Sequence, residues 1–93
     1  MSAPVIEHDA AASAFVARVE GGLAECAYRL QGGVMNLVHT EVPPASEGRG
    51  IAAALVQAAL AYARAQGLRV RPSCSYVRSY MRRHPDTLDL LEH

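Results

Sequence analysis

The hydrophobic pattern of this chain changes period once, at Pro43-Pro44, and that single change limits the folds open to it. Up to Val42 the residues alternate as strands do, and past Gly50 the apolar residues recur at helical spacing. Ala14 to Val19 is a short strand candidate, closed by a turn at Gly21-Gly22. From Leu23 to Leu30, Ala24, Cys26, Tyr28 and Leu30 point one way, while Glu25 and Arg29 point the other. Gly32-Gly33 can supply the positive φ values of a tight hairpin. A third strand, Val34 to Val42, then places Val34, Asn36, Val38, Thr40 and Val42 on one face. Met35, Leu37, His39 and Glu41 fall on the opposite face. The first proline of Pro43-Pro44 lacks an amide donor and each restricts the residue before it, so the ladder must stop there.

Ile51, Ala52, Leu55, Val56, Ala59, Tyr62 and Ala63 follow helical spacing in an alanine-rich run, and Gly67 is a natural stop. Leu68 to Arg71 is a short strand ended by Pro72. A second, shorter helix follows, with Val77, Tyr80, Met81 and His84 on one side and Arg78, Ser79, Arg82 and Arg83 on the other. Pro85 ends it. Strand 34–42, helix 51–66 and strand 68–71 make one β-α-β unit, expected to cross over right-handed with parallel strands. The fold class is therefore α+β: a mixed, mostly antiparallel sheet with one long and one short helix. Residues 8–13 form at most one turn, and no helix is expected before residue 50. The 93 residues suit one domain with one modest core. Its limits are drawn at 1–91, with 92–93 set aside as the stub of a purification tag.

Composition narrows the function classes. Nine basic and nine acidic side chains give a formal net charge of zero, so nothing pulls the whole molecule toward nucleic acid or an anionic membrane. Hydrophobic residues make up 51% and charged ones 19%, a globular balance. No apolar run approaches the ~20 residues of a membrane span. Met1-Ser2-Ala3-Pro4 lacks the regions of a leader peptide. Cys26 and Cys74 do not read as a disulfide framework, so a cytoplasmic chain with reduced thiols is expected. His8, His39 and His84 have no metal-ligand spacing and no accompanying carboxylate cluster, so no metal is expected.

Chemistry concentrates in the loop before the long helix. A helix N-terminus leaves backbone N–H groups unpaired and carries partial positive charge. Gly48 and Gly50 let a ligand approach the backbone, and Arg49 adds a full charge between them. Together these make a phosphate cradle; the plainer alternative is a turn with a glycine cap. No Gly-Lys-Ser/Thr follows, so a P-loop is excluded. The preceding hairpins exclude a Rossmann fingerprint.

Gly48-Arg49-Gly50-Ile51-Ala52, following a strand that ends His39-Thr40-Glu41-Val42-Pro43, resembles motif A of the GCN5-related (GNAT) N-acetyltransferase superfamily, Gln/Arg-x-x-Gly-x-Gly/Ala. The glycines match Gly48 and Gly50, whereas the leading Gln/Arg position falls on Ala45. Pro72-Ser73-Cys74-Ser75-Tyr76-Val77, with Arg83-His84-Pro85 behind it, narrows the likeness to small, single-domain GNAT-like proteins, over residues 5 to 91. The resemblance implies acetyl-CoA in a splay between strands 34–42 and 68–71. Pantetheine would pair with the strand ending at Thr40 to Val42, and pyrophosphate would rest on the amides of Glu47 to Ala52. Tyr80 and Arg83 would lie on the cofactor side, Arg83 toward the 3′-phosphate or adenine end, unless it belongs to a solvated helix face with Arg78 and Arg82.

Cys74 follows a strand at the start of a helix among arginines, and each factor favours thiolate. It is either a nucleophile that takes the acetyl group or a small side chain lining the pocket. Direct transfer would need a base, for which His39 and Glu41 are the candidates, and an acid, for which Tyr76 and Tyr80 are. Structural histidine and packing tyrosine are the plainer readings of these. Cys26 reads as core. The expected function is acetyl-CoA-dependent N-acetyl transfer to an amine or protein acceptor, by a monomer or weak homodimer. The alternative is a CoA-binding module, weak or inactive in catalysis, that acts through a protein partner.

Overall fold

A computed structural model describes residues 4–92; the leader expectation at Met1 to Ala3 and the tag residue His93 lie outside the described residues. Five strands form one sheet in sequence order: β1 Glu7–Asp9, β2 Ala14–Val19, β3 Gly22–Gln31, β4 Val34–Glu41 and β5 Arg69–Pro72. The first four run antiparallel, and β5 joins β4 in parallel. Two helices, α1 (Ile51–Ala65) and α2 (Ser75–Arg83), complete the α+β architecture, with 3₁₀ turns at Pro44–Ser46 and Pro85–Leu90.

Strand β1 was not expected. Its Glu-His-Asp is polar and exposed and carries no alternation. Pairing with β2 makes it a strand, and His8 stacks on Phe15 at 4.2 Å between ring centres while bonding the Tyr28 hydroxyl at 2.6 Å. The Gly32-Gly33 turn takes φ of 56° and 80°, as the tight hairpin required.

Helix α1 forms because alanine-rich sequence costs little entropy, but its place is set by burial. Ile51, Leu55, Val56, Ala59, Leu60 and Ala63 are buried against the sheet. Gly67, at φ 68°, ends it in a Schellman motif: Leu68 N–H reaches Ala63 C=O at 2.8 Å, and Gly67 N–H reaches Arg64 C=O. Val77, Tyr80 and Met81 of α2 join the same core. Both helices therefore cover one face of the sheet. Rows such as Val16–Glu25–Glu41 and Arg29–Asn36–Arg71 occupy the other face, over which no helix packs among the described residues.

One facing assignment needs correction, and one residue on the expected face is not buried. Leu30 belongs to the core side by register, opposite Met35, yet is 55% exposed because β3 overruns the helical layer at its hairpin end. More consequential is β4. Tyr28 opposes Leu37 but Ala27 opposes His39, so Val38 is an extra residue, a β-bulge. Met35 and Leu37 lie on the core side before it. After it, Thr40, opposite buried Cys26, takes the core side, and His39 and Glu41 go to the bare face.

The arginines near the C-terminus are largely engaged in structure. Arg64 grips Asp89 at 2.8 and 3.0 Å, Arg69 donates to the Asp89 carbonyl, and Arg71 is bidentate to Glu92 at 2.6 and 2.7 Å. These bonds hold residues 85–92 along β5 and α1, and they include a side chain set aside as tag.

Candidate functional site

The site begins where β4 and β5 part. Their ladder ends at Leu37↔Pro72, with one further bond from Cys74 N–H to Leu37 C=O at 2.9 Å. β4 continues to Glu41 without a β5 partner, while the chain after β5 turns into α2. A strand edge is thus left open beside the α2 N-terminus.

Above this split lies a hollow of about 270 Å³ lined by Val42, Ser46, Glu47, Gly48, Gly50, Ile51, Ala52, Ala53 and Tyr76. Gly48 and Gly50 hold φ of 78° and 77°, the left-handed region. A Cβ added at either would meet nothing within 4 Å, so space stands open above the backbone. The first intrahelical bond is Ala54 N–H to Gly50 C=O, and no side chain caps the helix. The amides of Ile51 to Ala53 therefore face this end without an intrahelical partner, and no acidic residue sits in the first turn. The fit to a phosphate group is good: unpaired donors, positive helix end and room.

The loop is supported from behind by residues the sequence did not mark. Ser46, wholly buried, donates to the Glu20 carbonyl at 2.6 Å. Gly21 packs so closely that a Cβ there would stand 3.0 Å from Ala45 Cβ. Arg49 does not turn into the hollow; it pairs with Glu20 at 3.0 Å on the exposed rim. Glycine at 21 was legible as a turn residue, but a serine in a proline-flanked loop carries no signal of burial.

Cys74 occupies the N-cap position of α2, where β4 and β5 part. Its sulfur lies 3.6 Å from Thr40 Oγ1, which lies 3.8 Å from Cys26 Sγ. Partial burial pushes the Cys74 pKa up. The Val77 and Tyr76 amides, with the Thr40 hydroxyl and backbone, outweigh that and bring it below the ordinary value of 9.0. The sulfur makes no formal capping hydrogen bond, so this is the field of the helix end rather than a cap. Cys26 is the opposite case: burial raises it to about 11. As drawn, the Cys74 thiol donates to Thr40; once Cys74 ionises, the hydroxyl can rotate to donate back.

Alkylation of Cys74 by iodoacetamide should therefore rise with pH to a plateau whose midpoint lies below 9.0. Below the midpoint the sulfur keeps its proton and is inert. Cys26 should stay unlabelled in the native protein. Thr40→Val, which keeps the shape but removes the donor, should move the midpoint up and slow neutral-pH alkylation ~2–10-fold. Mass-resolved labelling rates decide it, and an unchanged midpoint in Thr40→Val would refute the role given to the hydroxyl.

The structure thus gathers Val42, Glu47, Gly48, Gly50, Ile51, Ala52 and Tyr76 around one hollow, and it brings together Thr40 and Cys74, each two residues along the chain from a lining residue. It places others elsewhere. His39 and Glu41 bond each other at 3.1 Å on the bare face, across the sheet from Cys74. Tyr80 is buried, stacked on His84 at 4.0 Å, and lines a separate hollow between α1 and residues 84–90. Arg83 is exposed at the far end of α2. The expectation that no carboxylates gather at a histidine does not hold, because Glu25 crosses from β3 to join His39 and Glu41.

Comparison with known proteins points to one family. Residues 14–90 match the family described as GCN5-related N-acetyl-transferase. Protein NATD1 of Homo sapiens is 36% identical over 83 residues, covering 86% of this chain and 74% of that one. Protein NATD1 of Danio rerio is 32% identical over 93 residues, covering 95% and 84%. The solution structure of a GCN5-like protein from Staphylococcus aureus superposes with a TM-score of 0.70 at 26% identity. It covers 100% of this chain and 95% of its own.

Proposed function

Since the chain belongs to the GCN5-related N-acetyltransferase family, we propose that it is an acetyl-CoA-dependent N-acetyltransferase whose CoA end lies at the Gly48-Arg49-Gly50 loop. One observation carries this reading. The uncapped α1 N-terminus, with its open glycines, borders a hollow that also meets the end of the unpaired β4 edge at Val42 and the first turn of α2 at Tyr76, two residues from Cys74, whose pKa is lowered. The amides of Ile51 to Ala53 would hold the pyrophosphate, and the β4 edge from Thr40 to Val42 would pair with pantetheine. Arg49 would first have to leave Glu20, at small cost for an exposed pair.

Cys74 then has two courses. As thiolate it attacks the thioester carbonyl carbon and forms a new carbon–sulfur bond while the bond to CoA breaks. The departing CoA thiolate takes a proton, for which Tyr76 on the hollow wall is the donor. An acceptor amine next opens the Cys74 thioester, releasing the thiolate and losing a proton. In direct transfer the amine attacks the CoA thioester itself, and Cys74 only lines the pocket. In both courses His39 or Glu41 would take the amine proton from the opposite face, through the split.

A CoA-binding module that acts through a protein partner is the second reading. The bare sheet face supports it, because no element walls an acceptor there among the described residues. The test has two parts. CoA at 100-fold above Kd should stabilise the protein by about 2.7 kcal/mol, or roughly 10–20 °C in a chain this short. Acetyl-CoA should leave acetylated Cys74, visible by mass, and Cys74→Ala should abolish it together with turnover of an amine panel. No thermal shift at millimolar CoA would sink both readings. A shift without turnover in either protein selects the module, and full turnover by Cys74→Ala selects direct transfer.

A further inference from the structure

We propose that Glu25, His39 and Glu41 form a binding site for a divalent transition-metal ion, zinc being the best match, on the bare face of the sheet. The donors come from two adjacent strands whose register is fixed by the ladder. Glu25 of β3 is the direct cross-strand partner of Glu41 of β4, and Ala27 is the partner of His39. Like charges placed directly opposite on neighbouring strands destabilise the pair, so this arrangement asks for a cation between them. The imidazole nitrogen and a carboxylate oxygen from each glutamate lie within 4.8 Å of one another.

The bulge at Val38 creates the cluster. Without the extra residue, His39 would oppose Cys26 and turn into the core, and Glu25 would face Thr40. With it, all three donors share one face. Around zinc, ligand bonds of ~2.1 Å put neighbouring donors ~3.0–3.4 Å apart. His39 Nε2 and Glu41 Oε1 already stand at 3.1 Å, so only the Glu25 side chain has to swing inward. One imidazole with two carboxylates suits zinc, nickel or cobalt. Magnesium and calcium favour all-oxygen sets with more ligands. The site is open, with His39 54% and Glu41 65% exposed, so water can complete the coordination.

Binding of the ion needs neither acetyl-CoA nor turnover. Only its effect on transfer rests on the proposed function: a bound metal would take the lone pair of His39 and the charge of Glu41, making zinc an inhibitor that competes with proton uptake from the acceptor.

The test titrates zinc into the apo protein by calorimetry and cobalt by visible absorption. One equivalent should bind. Loss of a residue that merely orients a ligand already costs ~10–100-fold in metal affinity, so Glu25→Gln and His39→Gln should each weaken binding more than ~100-fold. Cys74→Ser and His8→Gln should bind zinc as the parent does, and cobalt should show no thiolate charge-transfer band. Absence of stoichiometric binding overturns the site, as does binding that survives Glu25→Gln or is lost in Cys74→Ser. The CoA-induced thermal shift, measured in the same Glu25→Gln protein without metal, should persist, so failure of the metal site and failure of the CoA site read out separately.

Discussion

Gly50→Asp is expected to leave the fold intact and to cut CoA affinity more than ~100-fold, about 2.7 kcal/mol. The two effects separate because one position serves two purposes. Gly50 is the N-cap of α1 at φ 77° and ψ 12°. Aspartate enters the left-handed region more readily than most residues, and negative charge at a helix N-terminus is favourable. Stability should therefore change by no more than ~1 kcal/mol. The carboxylate, however, stands at the amides of Ile51 to Ala53, where a pyrophosphate would rest. A like charge ~4 Å away near a protein surface costs ~4 kcal/mol before relaxation. Calorimetric titration with CoA, beside a thermal melt, measures both quantities. Gly50→Asn supplies the shape without the charge and should lose far less affinity. Parental CoA affinity in Gly50→Asp would remove the loop from the binding site.

Leu55→Ala should be the most destabilising simple truncation in α1, at ~2–5 kcal/mol. Leu55 is fully buried in the core cluster. A chain of this length is stable by only ~5–14 kcal/mol, so a large fraction of the total would go. The urea midpoint should fall by at least about a seventh, and by far more if the total lies at the low end, with an unchanged slope. Leu30→Ala, the same chemical change at a 55% exposed site, should stay within ~0.5 kcal/mol. Equal losses at the two positions would mean that the core does not lie where described.

The contrast between these leucines also marks what the sequence could convey. Leu30 and Cys26 alternate identically in the sequence, and only the extent of the helical layer separates them. Features set by local chemistry were legible: the glycine turns, the proline stop, the alanine-rich helix with its Gly67 cap, and the Gly-Arg-Gly loop. Features set by register were not. No residue type announces the bulge at Val38, yet it decides that Thr40 meets Cys74 and that His39 does not. Glu25, fourteen residues before His39, becomes its neighbour only through strand pairing. Strand β1 and buried Ser46 were invisible for the same reason, since their partners lie far along the chain.

The one-sided core has a consequence for how such a protein can diverge. Hydrophobic burial belongs to the layer beneath the helices, where almost every change is costly. The opposite face carries short-range charges and half-exposed apolar residues whose replacement costs little stability. On the proposed function, acceptor preference would be free to drift by surface substitution on this face without loss of the core. Relatives with the same loop and split but different residues at positions equivalent to Glu25, Ala27, His39 and Glu41 should differ in what they acetylate and agree in how tightly they hold CoA.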